Sequence, residues 1–168
     1  MPSVQGFGAV ADARARVLVL GTMPGVVSLA AGRYYANPRN AFWPIMAELY
    51  GIDASADYEA RLAQLRGAGV ALWDVLAECE RPGSLDAAIV ADSARANDFA
   101  GFLTAHPGIA RIAFNGAKAA ALFKRHALPA LADIGRPLDY LSLPSTSPAH
   151  AAQPFAAKLE AWRALARD

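Results

Sequence analysis

Four short apolar runs punctuate the chain: Val17–Leu20, Val70–Trp73, Ile109–Phe114 and Tyr140–Leu143. Their hydrophobicity is continuous rather than alternating, which suits strands covered on both faces, so they predict a parallel sheet of four strands. Between them, apolar positions recur at helical spacing over Asn40–Tyr50, Tyr58–Arg66, Asn97–Ala105, Ala117–His126 and Gln153–Arg167, with Gly or Pro near most ends. This alternation predicts an α/β fold, a three-layer α/β/α sandwich around a four-stranded parallel sheet, with residues 1–168 in one domain. Right-handed crossovers bring the loops that follow the strands to one sheet edge, where ligands bind in folds of this class.

Two loops at that edge stand out. After the first run comes Gly21-Thr22-Met23-Pro24-Gly25, followed by Tyr34-Tyr-Ala-Asn-Pro-Arg-Asn40-Ala-Phe-Trp43; after the last comes Leu143-Pro-Ser-Thr-Ser-Pro-Ala-His-Ala151. In the first, the glycines permit close backbone approach, Pro24 stiffens the turn, and the N–H groups of this stretch suit an anion or a base edge; a tight strand-to-loop turn explains them equally well. The second part joins aromatic rings, a guanidinium and amides, a set matched to a planar, hydrogen-bonding ligand such as a nucleobase. Asn40 also stands where a helix begins and fits an N-cap, while Phe42 and Trp43 taken singly fit the core. The last loop sets three hydroxyls between prolines, which suits phosphate contacts or a simple hydroxyl-capped turn.

Composition narrows the class. At 55% hydrophobic and 18% charged over 168 residues, the chain supports a full core in one compact body, expected to be a monomer. The apolar runs are too short to cross a bilayer and Met1–Val10 lacks the regions of a secretory signal, so a cytoplasmic location is expected. One cysteine, Cys79, excludes an internal disulfide and a four-thiolate metal site, and no metal or other cofactor is expected. A net charge of +1 gives no global attraction to nucleic acid, and Glu48, Asp53, Asp57 and Glu59 make one stretch acidic. Any such site is a local patch, for which Arg33, Arg39, Arg81, Lys118, Lys124, Arg125 and the histidines are available.

The ordered set GTMPG, YYANPRNAFW, ALWDVL with RPGSLDAAI, FNG and LPSTSPAHA resembles the uracil-DNA glycosylase superfamily over nearly the whole chain, and most closely its hypoxanthine-DNA glycosylase branch. Departures are informative. Where better-known branches carry GQDPYH or GINPG, with a water-holding Asp or Asn, this chain has Met23, and the HPS of the uracil-specific branch reads Leu143-Pro-Ser145. The resemblance implies that the Asn of the PRNxFW segment, Asn40, positions the attacking water instead.

The reaction so implied is hydrolysis of a base–sugar bond through an oxocarbenium-like sugar, after the base is flipped from DNA carrying deaminated bases, hypoxanthine or uracil. The three lysines, Lys118, Lys124 and Lys158, read as helix residues, so a monofunctional glycosylase that leaves an abasic site is expected. Gly21, Thr22, Met23, Pro24 and Gly25 are expected to line the base pocket, with Tyr35 or Phe42 as the stacking ring and Asp74 and Asn115 reading the base edge. Asp74 fits a helix cap or loop contact equally well. Arg39, Ser145, Thr146 and Ser147 are expected on phosphates, with Pro148 and His150 beside the vacated stack. Two other classes fit the same residues: a noncatalytic nucleotide- or DNA-binding module, and a hydrolase of small nucleosides or nucleotides.

Overall fold

The structure is a computed structural model and describes residues 3–149 and 152–168. Its centre is a parallel sheet of β2 (Val17–Gly21), β3 (Val70–Asp74), β6 (Arg111–Asn115) and β7 (Asp139–Leu143) in the order β3-β2-β6-β7. Registers run evenly from Val17 opposite Val70 to Gly21 opposite Asp74, and from Arg111 opposite Asp139 to Asn115 opposite Leu143. The ends of all four strands are therefore level, and Gly21, Asp74 and Asn115 share one edge.

The strand side chains alternate between two cores. Leu18, Leu20, Ala71, Ile112 and Phe114 enter one cluster with Leu103, Leu122 and Phe123, while Val17, Val19, Val70, Leu72 and Ala113 enter another with Phe42, Ile45, Leu65 and Trp162. Period-two alternation thus persists in runs that are apolar throughout, because each face meets a helical layer. The first layer contains α4 (Phe99–Ala105) and α5 (Ala117–His126); the second contains α2 (Phe42–Tyr50), α3 (Tyr58–Gly67) and α6 (Phe155–Trp162). A sixth helix, α1 (Val26–Ala31), lies in the first loop. The three-layer sandwich expected from the sequence is present.

A second, antiparallel sheet was not foreseen: β1 (Ser3–Gln5), β4 (Leu76–Glu80) and β5 (Arg95–Ala96), in the order β1-β4-β5. Its central strand, β4, follows β3 with no helix between them and pairs antiparallel with both β1 and β5. Boundaries also move inward. The second helix starts at Phe42 rather than Asn40, α4 starts at Phe99 behind its cap Asp98, and the last helix runs from Phe155 and ends in a 3-10 turn over Arg163–Ala166. In the first two cases Asn or Asp precedes the helix and accepts from a backbone N–H, as short polar side chains at caps do. Cys79 is fully buried in the first core.

Candidate functional site

The chain goes from β2 outward to β3 and then back to β6 on the other side of β2, so the crossovers diverge at the carboxyl end of β2. A cavity of about 560 Å³ opens there, walled by Gly21–Ser28, Tyr34, Tyr35, Asn37, Arg39, Asn40, Asp74, Ser84–Asp86, Asn115–Lys118 and Ser145–Ala149. A concavity of similar size, about 540 Å³, is bounded by Leu128, Leu131, Ile134 and Leu138, and its Arg136 donates to the carbonyls of Leu103, His106 and Ile109. The first cavity holds the chemistry.

Its floor is built from strand ends. Gly21 is required there: a Cβ at this position would stand 2.5 Å from Asp74 Oδ1 and 3.2 Å from the Tyr35 hydroxyl. Asp74 is 4% exposed, and its Oδ2 has no hydrogen-bond partner among the described residues. Burial, reinforced by the nearby Asp86 carboxylate and opposed by Arg81, pushes its carboxyl up to about 7. Asp86 itself is raised by burial, with the Thr22 hydroxyl (3.1 Å), Arg81 and Lys118 acting the other way.

One wall is the first loop. Its GTMPG turn is held by Arg81, a buried guanidinium that donates to Pro24 O at 2.6 Å, Met23 O at 3.4 Å and Gly83 O at 2.8 Å. Ser84 Oγ accepts from Val26 N at 2.8 Å and ties the RPGSLD segment to the start of α1. Met23 is buried in the first core and also borders the cavity. Tyr35 has a φ of 56°, a left-handed conformation rare for a bulky residue, and its ring stacks on Phe42 at 4.0 Å. Phe42 is fully buried and does not border the cavity, whereas Tyr35 does. Tyr34 is committed elsewhere, its hydroxyl donating to Gly8 O.

Asn40 borders the cavity at the turn before α2. Its Oδ1 accepts from Phe42 N at 2.9 Å, while its own N–H donates to Asn37 O. The bond to Phe42 fixes the rotamer and leaves the second lone pair of Oδ1 and both N–H bonds of Nδ2 without partners among the described residues. Arg39 is exposed beside it and forms no ion pair among the described residues.

The opposite wall is the last loop, and here two expectations change. Thr146, expected on phosphate, is 1% exposed; its N–H donates to Asn115 Oδ1 and its Oγ accepts from Asn115 Nδ2, both at 2.9 Å. Asn115 Nδ2 also donates to the Tyr35 hydroxyl at 3.3 Å. Asn115 is therefore a brace joining β6, the last loop and Tyr35, with its donors committed to the protein rather than to a base edge. Thr146 O in turn accepts from Ala41 N at 3.0 Å, next to Asn40. Ser145 Oγ and Ser147 Oγ accept from Ser147 N and Ala149 N in successive hydroxyl turns, and both residues stay partly exposed. The loop is anchored from behind by Trp162 Nε1 and Lys158 Nζ, which donate to Pro144 O and Ser147 O. Pro148 borders the cavity; His150 lies outside the described residues.

Arg81 was expected on a basic patch and Asp86 was not singled out at all. The sequence signal for Arg81 is weak: a charged residue directly after a strand, heading a Pro-Gly-Ser turn. Lys118 is on a helix as expected, yet that helix starts at the cavity, so the lysine borders it. Lys124, Arg125 and His126 occupy the last turn of α5, at the far end. Among the described residues, no group of three or more His, Cys, Asp or Glu side chains is placed to hold a metal ion.

Comparison with known proteins agrees with this layout. The family model described as the uracil DNA glycosylase superfamily matches residues 7–166. A protein named hypoxanthine DNA glycosylase from Methanosarcina acetivorans is 36% identical over 116 residues, covering 68% of this chain and 72% of that one. A protein of the same name from Methanosarcina barkeri is 35% identical over 115 residues, with the same coverage. A solution NMR structure of a provisionally named uracil DNA glycosylase from Methanosarcina acetivorans superposes with a TM-score of 0.81 at 32% identity, covering 99% of this chain and 98% of that chain. With its family match nearly end to end and the cavity at the switch point of the same sheet, this chain belongs to the uracil DNA glycosylase superfamily.

Proposed function

We propose that this chain is a monofunctional DNA glycosylase that flips deaminated bases, hypoxanthine first and uracil second, into the cavity and hydrolyses the base–sugar bond. The observation that carries the reading is Asn40: an amide fixed by Phe42 N at the cavity wall, with an oxygen lone pair and two N–H bonds still available. The lone pair accepts a hydrogen bond from a water and aims its oxygen at C1′ as the bond to the base lengthens; positioning of this kind is worth at least about 100-fold in rate. The relatives named hypoxanthine DNA glycosylase support the base, and the superfamily supports the bond broken.

The other residues take roles by position. Tyr35 faces the flipped base, the GTMPG turn borders its edge, and Asp74 lies beneath it. Arg39, Ser145 and Ser147 flank the strand as phosphate contacts, while Pro148 stands beside the vacated stack. Lys118 is the one cavity lysine among the described residues, so the monofunctional reading requires that it form no Schiff base. No cofactor enters the step, and the protein acts as a monomer on DNA in the cytoplasm.

The test is single-turnover base release from duplexes carrying one hypoxanthine or one uracil, with alkali cleavage and borohydride trapping in parallel. Wild type should release base, leave an alkali-labile site and trap no adduct. Asn40→Ala should lose at least about 100-fold in rate while binding the duplex as before. No release from any deaminated base would favour the binding module.

A further inference from the structure

Lys158 is a buried cation to which the reaction so far gives no task. It stands on α6 with 5% of its surface exposed, and it forms no ion pair among the described residues. Its one hydrogen bond there runs from Nζ to Ser147 O at 3.4 Å, long for an ammonium donor. Burial pulls its pKa below the ordinary lysine value, and no neighbouring carboxylate acts to restore it. Taking an ammonium out of water without a counter-charge is costly. A neutral amide could hold the same carbonyl without that cost, so the bond to Ser147 does not account for the charge.

The last loop has the complementary deficit. From Leu143 to Ala149 it carries no charged side chain, although Ser145, Ser147 and Pro148 border the cavity. The Ser145 and Ser147 hydroxyls accept from Ser147 N and Ala149 N, which leaves each hydroxyl proton without an acceptor among the described residues. Of the cations bordering the cavity, Arg39 stands on the first loop and Lys118 acts on Asp86. Lys158 reaches the last loop from behind. Because the Ser147 carbonyl points at Nζ, the positive end of that peptide dipole is turned away from α6, in line with the ammonium's own field.

We propose that Lys158 is the cation of a phosphodiester seat on the last loop: Ser145 and Ser147 donate to one DNA phosphate from the front, and the buried ammonium balances that phosphate's charge through the loop from behind. Lys158 is thus a positioning residue that touches no atom of DNA. This rests on the reading of the chain as an enzyme acting on DNA. A unit charge about 10 Å from another, close to a protein surface, is worth on the order of tenfold in affinity, and burial shields it from salt.

Affinity is measured by fluorescence anisotropy for a duplex carrying one stable abasic analogue, which offers no base–sugar bond and so reads binding alone. Lys158→Met should bind about tenfold more weakly at low salt, with log affinity against log salt shallower by about one, and Lys158→Arg should keep the slope. A single uncharged methylphosphonate is then placed in turn at each phosphate around the abasic position. At one of them wild type should lose what Lys158→Met loses, and Lys158→Met should lose nothing more. Losses that add at every position, or an unchanged slope, overturn the proposal. The ¹⁵Nζ resonance of Lys158, assigned by its absence from Lys158→Arg, gives a second reading in wild type. It should move when the duplex binds and keep its free position with one of the methylphosphonates in place. A resonance indifferent to every one of them overturns the proposal even if Lys158→Met fails to fold. Base release from a hypoxanthine duplex is followed alongside: wild type that binds the abasic duplex but releases no base removes the glycosylase reading and leaves the phosphate seat to its own result, and wild type that binds no duplex overturns both.

Discussion

The two loops that wall the cavity are organised in opposite ways. In the first, the main chain is held from outside by Arg81, Ser84 and Thr146, and the side chains of Tyr35, Arg39 and Asn40 are left to face the cavity. In the last, Thr146 and the Ser145 and Ser147 hydroxyls bind the loop's own backbone or Asn115, and the loop is shaped more by its internal bonds than by what it offers. Two asparagines at the same edge summarise the contrast. Asn40 makes one side-chain bond and keeps three of its hydrogen-bonding positions open, whereas Asn115 makes three bonds and is buried. An amide that works on a ligand needs unused valence, and one that works on the fold needs none.

Replacing each asparagine by alanine should separate rate from stability. Asn40→Ala should show the largest effect of all, on base release, and cost only about 1 kcal/mol in urea unfolding through the lost bond to Phe42 N. Asn115→Ala strands the Thr146 N–H and removes the restraint on Tyr35; unfolding should show a loss of about 3 kcal/mol. Equal stability losses in the two variants would erase the distinction between the loops.

A subtler outcome concerns the floor between them. Asp74 holds its proton more tightly in the folded protein than in the unfolded chain, so between the ordinary carboxylate value and about 7 the folded state binds the extra proton. The stabilisation from that proton is complete at low pH and is lost as pH rises through about 7. Asp74→Asn should therefore gain stability relative to wild type as pH rises from 5 to 8, by roughly 1 kcal/mol or more, since each pH unit of displacement is worth about 1.4 kcal/mol. A difference that does not change with pH would place the carboxyl in the ordinary range. The smallest effect is at the rim: Arg39→Ala should weaken duplex binding evenly across sequences and reduce the dependence of log affinity on log salt by about one. An unchanged slope would remove Arg39 from the phosphate path.

The central sheet was legible because Val17–Leu20 and Val70–Trp73 are apolar at every position, which a sheet covered on both faces demands. The antiparallel sheet was not. Leu76–Glu80 alternates weakly, and Arg95–Ala96 is too short to carry a period. Asp74, Asn115 and Asn40 lie at the predicted edge because each ends a strand or stands just before a helix, a position that linear order reveals. Their tasks were harder to read. Nothing in Ser145-Thr-Ser147 distinguishes the hydroxyl that turns inward from those beside it, and Arg81 looks like any surface guanidinium until the carbonyls of a loop some 57 residues earlier close around it. Partner choice across long separations depends on three-dimensional register, which a single sequence does not display.

The bond from Ala41 N to Thr146 O joins positions 105 residues apart and lies beside Asn40. Chains emerge from the ribosome amino end first. A nascent chain therefore exhibits the GTMPG turn, Tyr35 and Asn40 well before the segment that fastens them has been made, and β7 must join the sheet before that segment is in place. Until then the polypeptide carries one wall of the cavity without the other, and the chamber between them comes into being only with the last loop.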